Sequence, residues 1–176
     1  MPASLILTIV GPDRPGLVNL ISERVTAFGG NWLESRMANL AGQFAGIVHL
    51  HVPESSAEPL LVALRELEAQ GLRIVATRGT EGARGAVGRR MKLELVGQDR
   101  PGIVRDISHA LASRGVSIEE LVTDCVSGSM SGENLVRASA QLLVPSHVAT
   151  MQLRDALEAL ANDLMVDLTL DDGSAH

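Results

Sequence analysis

The feature that most constrains this chain is an internal repeat. Aligning Val10 with Val96 and continuing to Arg36 and Val122 gives 11 identities in 27 positions, at a period of 86 residues. The most regular part reads "VGPDRPGLV" at Val10 and "VGQDRPGIV" at Val96. A period this long is too large for a solenoid and suits two small domains in tandem. The chain is therefore expected to divide into residues 1–78, a linker "GTEGARGAVGRR" at 79–90, and residues 91–176. A Gly-rich, cationic linker of this kind is expected to be flexible.

Periodicity assigns the elements inside each unit. Leu5, Leu7 and Ile9 alternate with Ile6, Thr8 and Val10, and Met91, Leu93 and Leu95 alternate with Lys92 and Glu94; both runs predict strands. Leu17, Ile21, Val25 and Phe28 fall at helical spacing, as do Ile103, Ile107 and Leu111, and Gly29 and Gly115 are placed to stop those helices. "NWLESRMANL" and "VSIEELVTDCV" read as second strands, "FAGIVHLHV" and "LVRASAQLLV" as third strands. Leu60, Leu64 and Leu67, then Leu153, Leu157, Leu160 and Leu164, mark second helices, and "LRIVATR" and "LMVDLTL" close the units as strands. The order βαββαβ, twice, predicts an α+β chain of two ferredoxin-like units. Each is an antiparallel four-stranded sheet with two helices on one face. The open edges of such small sheets predict pairing within the chain or across a homo-oligomer, most simply a dimer.

Composition excludes several classes. Aromatic residues make up 2% of the chain, so the cores must be aliphatic. A net charge of −6 argues against a general nucleic-acid binder, which needs clustered Lys and Arg. Residues 1–78 carry 6 basic and 7 acidic groups, whereas residues 91–176 carry 6 and 13. The acidic second half suits a basic protein partner or simply solubility. The single Cys125 fits a reducing cytoplasm. No apolar run reaches the roughly 20 residues that span a bilayer. "MPASLILTIVGPDRP" reads as a strand rather than a signal peptide.

The repeated DRPG loop is the candidate site. The residue before proline avoids the α region, so Arg14 is expected as N-cap with Pro15 at the first helical position. Asp13 can fold onto nearby backbone N–H groups, and Gly16 leaves room for close approach. Free N–H groups at the positive end of a helix favour an anion, and Asp13 beside them favours an ammonium; together they suit a zwitterion. The bland alternative is a stop-and-start signal between strand and helix. No G-K-[ST] follows, and no G-x-G-x-x-G is present, so neither a P-loop nor a dinucleotide fingerprint is met.

A βαββαβ unit with "DRPGLV" after the first strand and "GGNWLESRM" after the first helix resembles the ACT domain, a small regulatory module that binds amino acids. Both halves match. "SGSMSGENLV" before the third strand of the second half is similar to the tandem ACT proteins of the glycine cleavage system repressor group. ACT modules in uridylyltransferases, formyltetrahydrofolate deformylases and serine phosphatases share the DRPG motif, but those proteins carry a separate catalytic domain.

The resemblance implies a ligand between the first loop of one domain and the start of the second strand of a neighbouring one. The positions implied are Gly11, Pro12, Asp13, Arg14, Pro15, Gly16 and Leu17 with Asn31, Trp32 and Leu33. In the second unit they are Gln98, Asp99, Arg100, Gly102 and Ile103 with Ser117 and Ile118. Asn31 is expected to hydrogen-bond an amino acid, and Ser117 to be its weaker equivalent. Glu119 in place of Leu33, and Gln98 in place of Pro12, depart from an equal second site, so one good site type is expected. The resemblance further implies a non-catalytic, cytoplasmic regulator of transcription with no metal or cofactor. A small effector such as glycine would weaken its complex with a LysR-type activator. The alternative is an interaction module without a small ligand.

Other candidates point to little chemistry. His49 and His51 share a strand face, but two ligands do not make a metal site. Cys125 is expected to point inward as a packing residue. Ser108-His109 and Ser146-His147 lack a matched acid and nucleophile elbow. Trp32 is expected either as a pocket wall or as an interface anchor. Arg89, Arg90 and Lys92 read as a solvated linker end, with an acidic partner surface as the alternative.

Overall fold

The structure, a computed structural model, describes residues 1–80, 87–128, 130 and 132–172. Half of the expected linker (81–86), and part of the "SGSMSG" element, lie outside the described residues. The chain separates into two compact units, Met1–Ala83 and Arg84–His176.

In unit 1, β1 (Pro2–Pro12) leads through a loop to α1 (Leu17–Ala27), β2 (Asn31–Leu40) and β3 (Gln43–Pro53). Helix α2 (Glu54–Arg65), a 3-10 turn (Glu66–Gln70) and β4 (Arg73–Arg78) follow. The sheet order is β2-β3-β1-β4, with β1 antiparallel to β3 and β4 and β2 antiparallel to β3. Unit 2 repeats this with β5 (Arg89–Gln98), α3 (Ile103–Ala112), β6 (Ser117–Ser127), β7 (Asn134–Val144), α4 (Thr150–Leu164) and β8 (Val166–Asp172). Its order is β6-β7-β5-β8. The expected α+β fold, two ferredoxin-like βαββαβ units, is the observed one. Strand β5 begins at Arg89, inside the stretch read as linker, because Arg89 and Arg90 already pair with Val144 and Leu143 of β7. Arg89 donates to the Val148 carbonyl at 2.7 Å, and Arg90 pairs with Glu119 at 3.0 Å.

The cores explain the pattern. Leu5, Leu7 and Ile9 of β1 are buried with Val48, Leu50 and Val52 of β3 and Leu17, Ile21 and Val25 of α1. Period-2 and period-3.6 stripes thus meet on one side of the sheet. Unit 2 does the same with Leu93, Leu95, Ile103, Ile107, Leu111 and Leu142. Gly29 and Gly115 stop the first helices at φ +74° and +73°. Gly30 and Val116 donate back to the Val25 and Leu111 carbonyls, so each end closes as a Schellman turn.

Arg78 at the end of β4 pairs at 2.8 Å with Glu54, the first residue of α2. A hydrogen bond from Arg78 holds the Glu54 carboxyl below its ordinary value. A depressed carboxyl pKa contributes stability above the unfolded-state value and loses it as pH falls through the folded one. Arg78→Gln should move the Glu54 titration, followed by carboxyl NMR, up toward the ordinary range. An unmoved titration would remove the pair from the account.

Candidate functional site

The DRPG loop leaves β1 under tight constraint. A Cβ on Gly11 would stand 2.6 Å from the Gly71 carbonyl oxygen, so this glycine exists to let the backbone before β4 approach. Asp13 extends the ladder by donating its N–H to the Gly42 carbonyl at 2.9 Å, and its carboxylate accepts from the Asn39 side chain. Arg14 reaches across to the Gln70 carbonyl at 3.2 Å, at the end of the 3-10 turn that follows α2. Carbonyls left over at a helical C-terminus attract a cation.

The helix start differs from the expectation. Arg14 is not the N-cap and Pro15 is not the first helical residue: Gly16 is the N-cap, at φ +89° and ψ 2°, and the helix begins at Leu17. Proline prepares the turn, but only a residue tolerant of the left-handed region can bring the chain from that turn into the helix. Leu20 N–H donates to the Gly16 carbonyl at 2.9 Å, which opens the helical ladder. The N–H groups of Leu17, Val18 and Asn19 therefore have no acceptor within the helix, and no side chain caps them. Leu17 is buried, so it can offer a ligand only its backbone.

Unit 2 copies this construction with one difference. Asp99 N–H donates to the Asn134 carbonyl at 2.9 Å, and Arg100 reaches the Asp163 carbonyl near the end of α4 at 3.4 Å. Gly102 is the left-handed N-cap at φ +94°, and Ile103 is buried. Arg105 and Asp106, paired at 2.9 Å, stand where unit 1 has Asn19 and Leu20. A Cβ on Gly102 would lie 3.0 Å from the Arg105 guanidinium, whereas one on Gly16 would meet no atom within 4 Å. The first turn of α1 holds no acidic residue, while that of α3 holds Asp106. Of the two loops, the open and uncompensated helix start is the one at Gly16.

The second group of candidates lies elsewhere. Strand β2 runs in the same direction as β1, so Asn31 pairs with His51 beside Ser4, at the opposite end of the sheet from Gly11. Seven residues of strand separate Ser4 from Gly11, about 23 Å. Asn31 lines an open depression with Gly29, His51, Glu54 and Ser55. Within one unit the structure does not bring Asn31, Trp32 and Leu33 to the loop, nor Ser117 and Ile118 to Gln98. Trp32 is partly buried against the core of unit 1. Leu33 and Glu119 each sit in the irregularity where β2 and β6 shift register, and Glu119 is held by Arg90. Pro12 and Gln98 end their strands opposite Gln43 and Leu135.

Asn39, Gln70 and Asp163 escaped the reading of the sequence, as did the carbonyls of Gly42 and Asn134. The signal for one pair was present, because Asn39 and Cys125 stand one repeat apart. Cys125 is exposed, contrary to the expected burial. Its pairing with Val136 gives it helix-side parity, but edge strand β6 is left uncovered there. Partial desolvation and then the Asp99 carboxylate push its thiol up. His49 and His51 stack edge-on at 5.5 Å, with the His49 Nε2 2.9 Å from the Ser4 hydroxyl. Among the described residues no group of three or more His, Cys, Asp or Glu is placed to hold a metal. No helix among them is long and apolar enough to cross a membrane.

Comparison with known proteins agrees with this architecture. Residues 3–77 match the model of the ACT domain. The glycine cleavage system transcriptional repressor of Escherichia coli (strain K12) is 26% identical over 168 residues, covering 91% of this chain and 85% of that protein. An unknown protein from Galdieria sulphuraria superposes with a TM-score of 0.87 at 27% identity, over 98% of this chain and 99% of that one. A candidate glycine cleavage system transcriptional repressor superposes at 0.70 with 24% identity, over 97% of each chain, and shares the fold. Unit 1 belongs to the ACT-domain family, and unit 2 repeats its fold.

Proposed function

We propose that this protein is a non-catalytic, cytoplasmic amino-acid sensor that regulates transcription through a protein partner. It would act as the glycine cleavage repressors it resembles are named to do. The observation that carries this reading is the open helix start at Gly16. Three N–H groups at the positive end of α1 have no acceptor in the helix and no side-chain cap, and Asp13 stands three residues before the Gly16 cap. A zwitterionic ligand places its carboxylate on those N–H groups and its ammonium near Asp13. A ligand small enough for a surface turn has little or no side chain, and glycine is the natural candidate. A ligand that also touches Asn31 must be held by two ACT units, because one unit separates the two groups; a homo-oligomer is one way to provide this.

The acidic unit 2 supplies a surface for a basic partner, and a LysR-type activator is the partner proposed. Regulation requires that glycine bind the free protein and the complex with different affinity. One observation favours an alternative, an interaction module without a ligand: Asp13 and Arg14 both already serve to hold the loop.

Calorimetry with the standard amino acids separates the two. Heat with glycine is expected, lost in Gly16→Val and retained in Gly102→Val. A folded protein that gives no heat with any amino acid would sink the sensor. The partner claim is tested by the amount of purified LysR-type activator retained with and without glycine.

A further inference from the structure

The two units are not filled equally beneath their edge strands. In unit 1, Trp32 faces Leu50 across β2 and β3 and packs against the core. Met37 crosses over Gly46, where a Cβ would come within 2.6 Å of its Cγ. Val48 completes the layer. At the same register positions unit 2 has Ile118, Thr123 and Ala140, with Ala138 in place of Gly46. Three side chains shrink: Trp to Ile, Met to Thr and Val to Ala. Leu121, standing where unit 1 has Ser35, returns part of the volume, but it is 44% exposed at the rim.

The result is a cavity of about 30 Å³ between α3 and the β6 side of the sheet. Its floor is Leu93, Leu95, Ala138 and Ala140, its roof Ile107 and Leu111 of α3, and its mouth Val104, Ile118 and Leu121. No charged residue lines it. Its one hydroxyl, on Ser108, already donates to the Arg105 carbonyl at 3.0 Å. Water in such a space finds few partners, while an aliphatic group gains contact with every wall.

We propose that this cavity is a second binding site, one that takes the uncharged branched aliphatic group of a small ligand. Unit 1 shows what the position accommodates, because there the chain closes it with its own indole. Val104, Ile118 and Leu121 at the mouth are each more than a third exposed, so a branched group can seat one methyl in the cavity and pack its other carbons against them. The site is separate from the Gly16 loop and does not depend on it; glycine, lacking a side chain, has nothing to place there.

Methyl NMR on the full chain tests this with three probes: isobutanol, L-leucine and glycine. Isobutanol should shift the methyls of Ile107, Leu111 and Ile118 in unit 2 and leave Leu7 and Ile21 of unit 1 in place. Glycine should leave the three unit 2 methyls unmoved. If L-leucine shifts the unit 2 methyls at lower concentration than isobutanol, the ligand is a branched amino acid. If isobutanol alone acts, the ligand is aliphatic without an amino-acid head. Ile118→Trp, which installs the residue of unit 1, should abolish the shifts and raise the melting temperature. Ala140→Val performs the same test if that variant does not fold. Unit 2 methyls that ignore isobutanol, or that still shift in a folded filled variant, would overturn the proposal.

Discussion

Leu7→Ala should lower the stability of unit 1 by about 2–5 kcal/mol, the range for truncating a fully buried leucine. Leu7 has no exposed surface and lies between β3 and β4 in the centre of the sheet. Folded proteins are stable by only about 5–15 kcal/mol, so the loss is a large part of what holds the unit together. The reporter is built in. Trp32 is the only tryptophan, and it packs against the same cluster as Leu7. Denaturant unfolding followed by its fluorescence should shift to a lower midpoint. Leu93→Ala, at the equivalent position of unit 2, should appear in far-UV circular dichroism and leave the Trp32 transition in place. Each buried cluster draws its residues from its own unit. A Trp32 transition that ignores Leu7→Ala would remove that residue from the core.

Gly97→Val should cost unit 2 about 1–3 kcal/mol or more through overpacking. A Cβ at Gly97 would strike the Val166 Cγ1 and lie 2.9 Å from its Cβ and 3.1 Å from its Cα. The last of these cannot be relieved by a rotamer change, since it belongs to the first residue of β8. The strand must shift, and with it the β5–β8 ladder that begins at the Gly97–Val166 pair. Circular dichroism should show an earlier loss of unit 2, and Val166→Ala should recover part of it by removing Cγ1. An unrescued variant would mean that the cost lies in the strand conformation of Gly97 rather than in contact with β8.

These two variants show which parts of the molecule local pattern encodes. The βαββαβ order was legible because the alternation at Leu5, Leu7 and Ile9 and the helical spacing at Leu17, Ile21 and Val25 are contiguous signals. Gly29 and Gly115 announced the helix ends for the same reason. The repeat turned one weak motif into two matched ones. The DRPG loop was located correctly, but its cap was misplaced by two residues. Proline rules hold for the residue before it, while the left-handed step at Gly16 is set by how the loop must re-enter the fold. Cys125 carried the right parity for burial and is nonetheless exposed, because parity says which face a side chain takes and not whether a helix covers it.

The sequence by itself determined the duplication, the class of each element, the aliphatic cores and the place of the loop. All of these follow from the order and spacing of neighbouring residues. Only the tertiary structure decided what each residue of the motif does: Gly11 against Gly71, Asp13 against Asn39, Arg14 against Gln70. It also placed Asn31 at the far end of the sheet from Gly16, and it opened one helix start while Arg105 covers the other. These partners are 26 to 60 positions apart along the chain. Contacts at that separation arise from strand order and helix packing, which no local window of sequence contains.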